Sequence, residues 1–279
     1  MKAVKPQDRY LYNKGLRLHY LDWGNDKGQP MLLLHGFMAH AHVWDDFTVT
    51  FQSHYHVIAL DQRGHGESQW SKDVAYTMDD HFSDIALFIE TLKLEELILV
   101  GHSMGGRHAL LYAACVPSKV DRLILVDARP GNDLQASHAL RRLLATFPLE
   151  AHSLKEVVQA IRSLYPYLSR EMCYHIANHG YDRVHEGTYI PKYDTRMSQQ
   201  SDDTGYATED LWPFMEHVPC PVLLIRGKKS LFLSRKVAQQ ICRTLPQTKF
   251  KEIPESTHMP VQENPIATTK VIMDFLNNR

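Results

Sequence analysis

GHSMGG, residues 101–106, holds a serine inside the pattern G-x-S-x-G, and its neighbours decide what that pattern means. Before it, ELILVG (96–101) is an apolar run of strand length. After it, GGRHALLYAACVP (105–117) reads as a helix stopped by Pro117. A serine between a buried strand and a helix start sits on a turn so tight that its flanking positions must be small. Gly101, Gly105 and Gly106 meet that demand. The hydroxyl is then held clear of the sheet, at a helix N-terminus whose N–H groups face an incoming anion. The competing reading is a glycine-rich turn with an incidental serine. The flanking elements argue against it.

The same strand-then-helix rhythm extends outward. YLYN (10–13) and LRLHYLDW (16–23) read as short strands around an Asn-Lys-Gly turn. MLLLHG (31–36), HVIALD (56–61) and RLILVD (122–127) are continuous apolar runs, as expected for strands covered on both faces. Helices are predicted over 41–51 and 77–94. From 128 to 217 the rhythm breaks, leaving helical segments near 135–147, 153–165, 169–180 and 208–217. It resumes with a strand at 221–227, a helix at 234–245, a strand at 248–254 and a closing helix at 264–278. The expectation is an α/β fold: a mostly parallel central sheet with helices on both faces. Residues 1–127 and 218–279 form its core, and 128–217 are an inserted helical lid over the carboxyl edge of the sheet.

Bulk properties exclude several function classes. With 31 Lys+Arg against 32 Asp+Glu, no basic face for nucleic acid is expected. The N-terminus MKAVKPQDRYLY has no apolar signal region, and no stretch reaches the ~18 apolar residues of a membrane span. The four cysteines form no C-x-x-C pair and read as reduced thiols, so the expected compartment is cytoplasmic. Seventeen histidines include two H-x-H pairs, His40–His42 and His54–His56, which in strands could grip a metal. No third ligand stands at a telling spacing, so no metal is expected.

The serine needs a base and an oxyanion site. His258, in PESTHMPVQENP between a late strand and the last helix, is the histidine whose loop can reach it. A surface loop histidine is the alternative. Two backbone N–H groups can hold an oxyanion: that of Met104, just after the serine, and that of Phe37, after His35-Gly36. His35 reads as a brace for its loop and not as a proton carrier.

These residues together resemble an α/β-hydrolase, nearly end to end. LLLHGF (32–37), DQRGHGES (61–68), GHSMGG (101–106), LVDARP (125–130), LLIRG (223–227) and THMPVQENP (257–265) carry the resemblance. It implies a lid domain, hydrolysis of an ester, thioester, amide or lactone, and no cofactor. DQRGHGES reads as structural, with Asp61 and Arg63 pinning a turn.

One position departs from the family's common pattern. Its acid often follows the strand at 221–227, but Ser230 stands in that loop, after Lys228 and Lys229. A subset of the family carries the acid one strand earlier, which here is Asp127 at the end of RLILVD. An aspartate ending an apolar strand is costly to bury unless something uses it. Asp127 is therefore the expected acid, with Asp133 and Glu255 as weaker candidates and a pairing with Arg129 or Arg142 as the structural alternative. Ser230 is expected to matter little.

The leading function is a serine hydrolase of small to medium carboxylic esters, thioesters or lactones, working through an acyl-enzyme on Ser103, His258 and Asp127. Carbon–carbon bond hydrolysis of dienol-type diketones is an alternative, with Arg141, Arg142 or Arg162 gripping a substrate carboxylate. A non-catalytic receptor or scaffold is a third. Phe37, Met38, Trp44, Met104, Tyr165, Tyr167, Tyr189, Trp212, Phe214 and Met259 suggest an apolar pocket. The expected partner is a small-molecule ester, and a homodimer stays open.

Overall fold

A computed structural model describes residues 4–131, 146–198 and 209–277. Among the described residues, ten strands in chain order are β1 (Gln7–Asn13), β2 (Leu16–Asp22), β3 (Gln29–Leu34), β4 (Tyr55–Leu60), β5 (Leu97–His102), β6 (Val120–Val126), β7 (Tyr181–Arg183), β8 (Tyr189–Pro191), β9 (Val222–Gly227) and β10 (Thr248–Ile253). Eight of them form one sheet in the order β1-β2-β4-β3-β5-β6-β9-β10. The β1–β2 and β2–β4 pairs are antiparallel, and the rest are parallel.

Side-chain alternation along the central strands makes two cores. Leu32, Leu34, Leu97, Leu99, Leu123, Leu125 and Leu224 point to one face. Met31, Leu33, Ile98, Val100, Ile124, Val126, Leu223 and Ile225 point to the other. Both faces are apolar because both are covered, which is why these strands read as unbroken hydrophobic runs. On the first face lie α2 (Met78–Thr91) and α3 (Met104–Cys115), through Ile85, Phe88, Ala109 and Leu110. The second face takes Phe47 and Phe51 of α1 (Asp45–Phe51). Thr77 starts α2 with a reciprocal cap, its side chain accepting from Asp80 N while the Asp80 carboxylate takes Thr77 N.

Chain order reverses around β3 and β5. From β3 the chain moves to β4 on one side, and β5 then returns to the other side of β3. The loops leaving β3 and β5 therefore diverge at the sheet's carboxyl edge, the place where such sheets bind ligands.

Between β6 and β9 lie α4 (Leu154–Leu164), α5 (Arg170–Gly180) and the hairpin β7–β8. They share a third cluster, including Val157, Val158, Ile161, Met172, Cys173 and Ala177. The hairpin is absent from the sequence reading, because three residues per strand are too few to show an alternation. The helix expected at 135–147 lies almost wholly outside the described residues, and that near 208–217 is described as a short α6 (Trp212–Met215). After β9 come α7 (Arg235–Thr244), β10, α8 (Pro260–Glu263) and α9 (Pro265–Asn277). Asp194 ties this region to the core: it accepts from Tyr76 OH at 2.5 Å, and its N–H donates to Gly64 O at 2.8 Å.

Candidate active site

Ser103 is the sharp point of the β5–α3 turn, with φ 50° and ψ −111°. A non-glycine residue held there is strained by about 1–3 kcal/mol, and the packing around it must impose the conformation. The glycines let that packing close. A Cβ on Gly101 would stand 2.3 Å from Gly105 O, and one on Gly105 would stand 2.3 Å from Leu34 O. The elbow is locked on both sides, since Ser103 N donates to Val126 O at 2.9 Å and Gly105 N to His35 O at 3.1 Å.

His258 reaches Ser103 from across the sheet edge. Its Nε2 lies 2.9 Å from Ser103 Oγ, and its Nδ1 lies 2.6 Å from Asp127 Oδ2. A carboxylate can only accept, so Nδ1 carries the proton and Nε2 presents its lone pair to the serine hydroxyl. Sequence order would not bring these three together. Their spacing follows from the strand order, in which β6 lies between β5 and β9.

Asp127 follows β6 directly and is fully buried. Besides His258 it accepts from Gly227 N at 3.1 Å and from Ser230 Oγ at 2.5 Å. The sequence reading did not anticipate this contact from Ser230. Its oxygen accepts from Phe232 N at 3.1 Å and Leu233 N at 3.2 Å, so its proton is aimed at Asp127. The loop that lacks the acid instead supplies two donors to an acid on the neighbouring strand. The only sequence signal was Ser230 at the family's acid position. Of the rival acids, Glu255 is exposed and Asp133 lies outside the described residues.

The loop Gly36–Phe37 lies against the serine: a Cβ on Gly36 would stand 3.3 Å from Ser103 Cβ. Among the described residues, no acceptor takes the N–H of Phe37 or of Met104. Two unengaged donors beside a hydroxyl suit an oxyanion. His35 braces this loop. Its Nε2 accepts from Gln62 N at 3.0 Å and its Nδ1 faces Gly36 O at 2.8 Å, so both nitrogens are occupied. Burial also lowers its pKa. Asp61 fastens the loop from below, accepting from Ala41 N at 2.6 Å and Glu67 N at 3.0 Å. Arg63 pairs with Asp84 at 2.6 Å.

Two residues that hold His258 escaped the sequence reading. Glu263, on α8, takes Thr257 N at 2.6 Å, Thr257 Oγ1 at 2.8 Å and Met259 N at 3.3 Å, a clasp on both neighbours of the histidine. Burial pushes its carboxyl above the usual carboxylate range. His102 Nε2 faces His258 O at 2.7 Å, and burial, aided by the nearby His258 ring, pushes the His102 ring down to about 3. Glu263 stands in THMPVQENP, but nothing local in the sequence marks it as a clasp.

The aromatic pocket residues scatter. Trp44 is fully buried in the core and Trp212 packs on the opposite core. Tyr165 and Tyr189 pack on the third cluster. Phe37 stays near the site, its ring 5.9 Å from that of Tyr193. The Phe232 ring lies tilted beside that of His258 at 4.6 Å, and the Arg129 guanidinium lies over the Phe232 ring at 4.4 Å.

Comparison with known proteins follows the same lines. The model of the alpha/beta hydrolase fold matches residues 29–172. A 2-(acetamidomethylene)succinate hydrolase of Mesorhizobium japonicum is 28% identical over 250 residues, covering 90% of this chain and 88% of that protein. The crystal structure of an E-2-(acetamidomethylene)succinate hydrolase superposes with a TM-score of 0.89 at 28% identity, covering 98% of this chain and 99% of the other. A human monoacylglycerol lipase is 27% identical over 287 residues, covering 99% of this chain and 83% of that protein.

Proposed function

The chain belongs to the alpha/beta hydrolase fold family, and from that premise we propose that it is a serine hydrolase of small to medium carboxylic esters, thioesters or lactones. The observation that carries this reading is the unbroken line from Ser103 Oγ through His258 to the buried Asp127 carboxylate. In the proposed cycle, His258 Nε2 takes the Ser103 proton as Oγ attacks the carbonyl. The N–H groups of Phe37 and Met104 hold the oxyanion. Asp127 fixes the histidine tautomer and offsets the imidazolium charge. His258 then protonates the leaving group and activates the water that frees the acyl group.

The sheet, residues 1–127 and 218–279, serves as scaffold in this reading, and 128–217 as the cap that shapes the acyl site. Likeness to a lipase and to a succinate-derivative hydrolase supports a hydrolase of carbonyl substrates in general. Carbon–carbon hydrolysis would use the same three side chains. Of the cations it would call on, Arg162 is exposed, and Arg141 and Arg142 lie outside the described residues. Among the described residues, no helix is long and apolar enough to cross a membrane. We place the activity in the cytoplasm, on small diffusible substrates.

The deciding experiment is labelling by a fluorophosphonate together with burst release from p-nitrophenyl acetate. Modification at Ser103 with a stoichiometric burst is expected. A chain that neither labels nor turns over, though folded, would be a scaffold or receptor. Labelling without ester turnover, but with cleavage of a dienol diketone, would select the carbon–carbon reading.

A further inference from the structure

Away from Ser103, three imidazoles and a carboxylate converge where two distant segments meet. One segment is the turn Ala41–Trp44 leading into α1, which carries His42 and Asp45. The other is α5, which carries His175 and His179 one turn apart on the same face. His42 Nδ1 lies 2.9 Å from Asp45 Oδ2, and His175 Nε2 lies 3.3 Å from the same oxygen. The His42 and His179 rings stack at 3.8 Å. Donor atoms of His42, Asp45 and His179 all lie within 4.8 Å of one another.

A second observation points to a cation. Asp45 Oδ1 is buried and, among the described residues, has no hydrogen-bond partner. A carboxylate oxygen withdrawn from water without a donor is unfavourable. A cation beside it removes that penalty.

We propose that His42, Asp45 and His179 bind a divalent transition-metal cation of the zinc class, pinning α5 to the turn that follows the Phe37 loop. Two imidazole nitrogens and one carboxylate oxygen suit zinc, whereas calcium and magnesium take oxygen donors. A tetrahedral site with bonds of about 2.0–2.2 Å places its donors about 3.3–3.6 Å apart. Small rotations of these half-buried side chains close the remaining gap. His175 stays outside the metal. Its Nε2 faces His42 O at 2.9 Å and steadies Asp45, as outer partners of metal ligands do. His40, two residues before His42, reinforces the same junction through its Nε2 and Ile176 O at 3.1 Å. The other cluster of this kind among the described residues, Asp22, Asp26 and His56, is a poorer candidate. Arg9 already pairs with Asp22 at 3.2 Å, and the Asp26 side chain is 81% exposed.

The test is calorimetric titration of the chelator-treated full chain with zinc chloride, repeated with cobalt chloride to read the visible absorption of tetrahedral Co²⁺. One equivalent at micromolar affinity or tighter is expected. His42→Ala and His179→Ala should each weaken it by roughly 10–100-fold while keeping the metal-free melting curve. Saturating zinc should raise the melting temperature of the parent chain by roughly 5 °C and that of either variant by far less. Asp26→Ala and Cys115→Ser should bind like the parent. Unchanged affinity in both histidine variants, loss of binding in Asp26→Ala or Cys115→Ser, equal binding of magnesium, or no binding at millimolar zinc would each overturn the proposal.

Discussion

Replacing Asp127 by asparagine tests the proposed chemistry most sharply, because the structure fixes what the new amide would meet. The side chain is fully buried. One carboxylate oxygen faces Gly227 N at 3.1 Å, and the other faces His258 Nδ1 at 2.6 Å and Ser230 Oγ at 2.5 Å. An asparagine NH₂ in the first place opposes the Gly227 N–H, donor against donor. In the second place it opposes the Ser230 hydroxyl, whose oxygen is already used by Phe232 N and Leu233 N. It also turns the imidazole tautomer, so that Nε2 carries a proton and cannot take one from Ser103. Either way the imidazolium loses its anion. The expected loss is on the order of 10⁴ in kcat, about 5.5 kcal/mol of transition-state stabilisation. The opposed donors should lower stability by about 1–3 kcal/mol. Turnover of p-nitrophenyl acetate and the rate of fluorophosphonate labelling give the first figure, and urea melts the second. A folded variant within about tenfold of the parent kcat would refute the role given to Asp127.

Four further outcomes follow from the same geometry. Ser103→Ala should lower kcat on the order of 10⁶ and abolish covalent labelling; labelling at another residue would move the nucleophile. Ser230→Ala removes a donor from the Asp127 carboxylate and should lower kcat by roughly 10–100-fold, with KM little changed; parent-like kcat would return Ser230 to a bystander. Glu263→Ala frees the segment around His258 and should lower kcat by about 10²-fold with a reduced melting temperature, whereas an unaltered kcat would show that the clasp does not position the histidine. The fourth concerns pH. Burial, chiefly, pushes His65 and His102 down to about 3. The unfolded chain takes up these protons below its ordinary value of about 6.5, and the folded chain does not. Their contribution to stability is therefore complete above about pH 6.5. It is lost as pH falls toward about 3, at about 1.4 kcal/mol per pH unit for each ring. Urea midpoints should drop between about pH 7.5 and about pH 5, and equal midpoints would contradict the burial of neutral rings.

The sequence by itself determined the sheet and the turn that carries Ser103. Strands buried on both faces must be apolar at every position, and the Ser103 elbow admits only glycine at its closest contacts, so both leave local marks in MLLLHG, RLILVD and GHSMGG. Asp127 was legible as a charge ending an apolar run, and more so against a family pattern that lacked its acid at Ser230. What Ser230 and Glu263 do was not legible. A hydroxyl 103 positions from its carboxylate is brought to it only by the β6–β9 pairing, and the clasp on His258 exists only once α8 folds back. The histidine cluster shows the same division. His42 was visible as half of an H-x-H pair, but His179 joins it only because α5 packs on the turn after β3. Local constraints act through neighbours in the chain and can be read there. Contacts between segments depend on how strands are ordered and helices packed, and only the folded chain sets that.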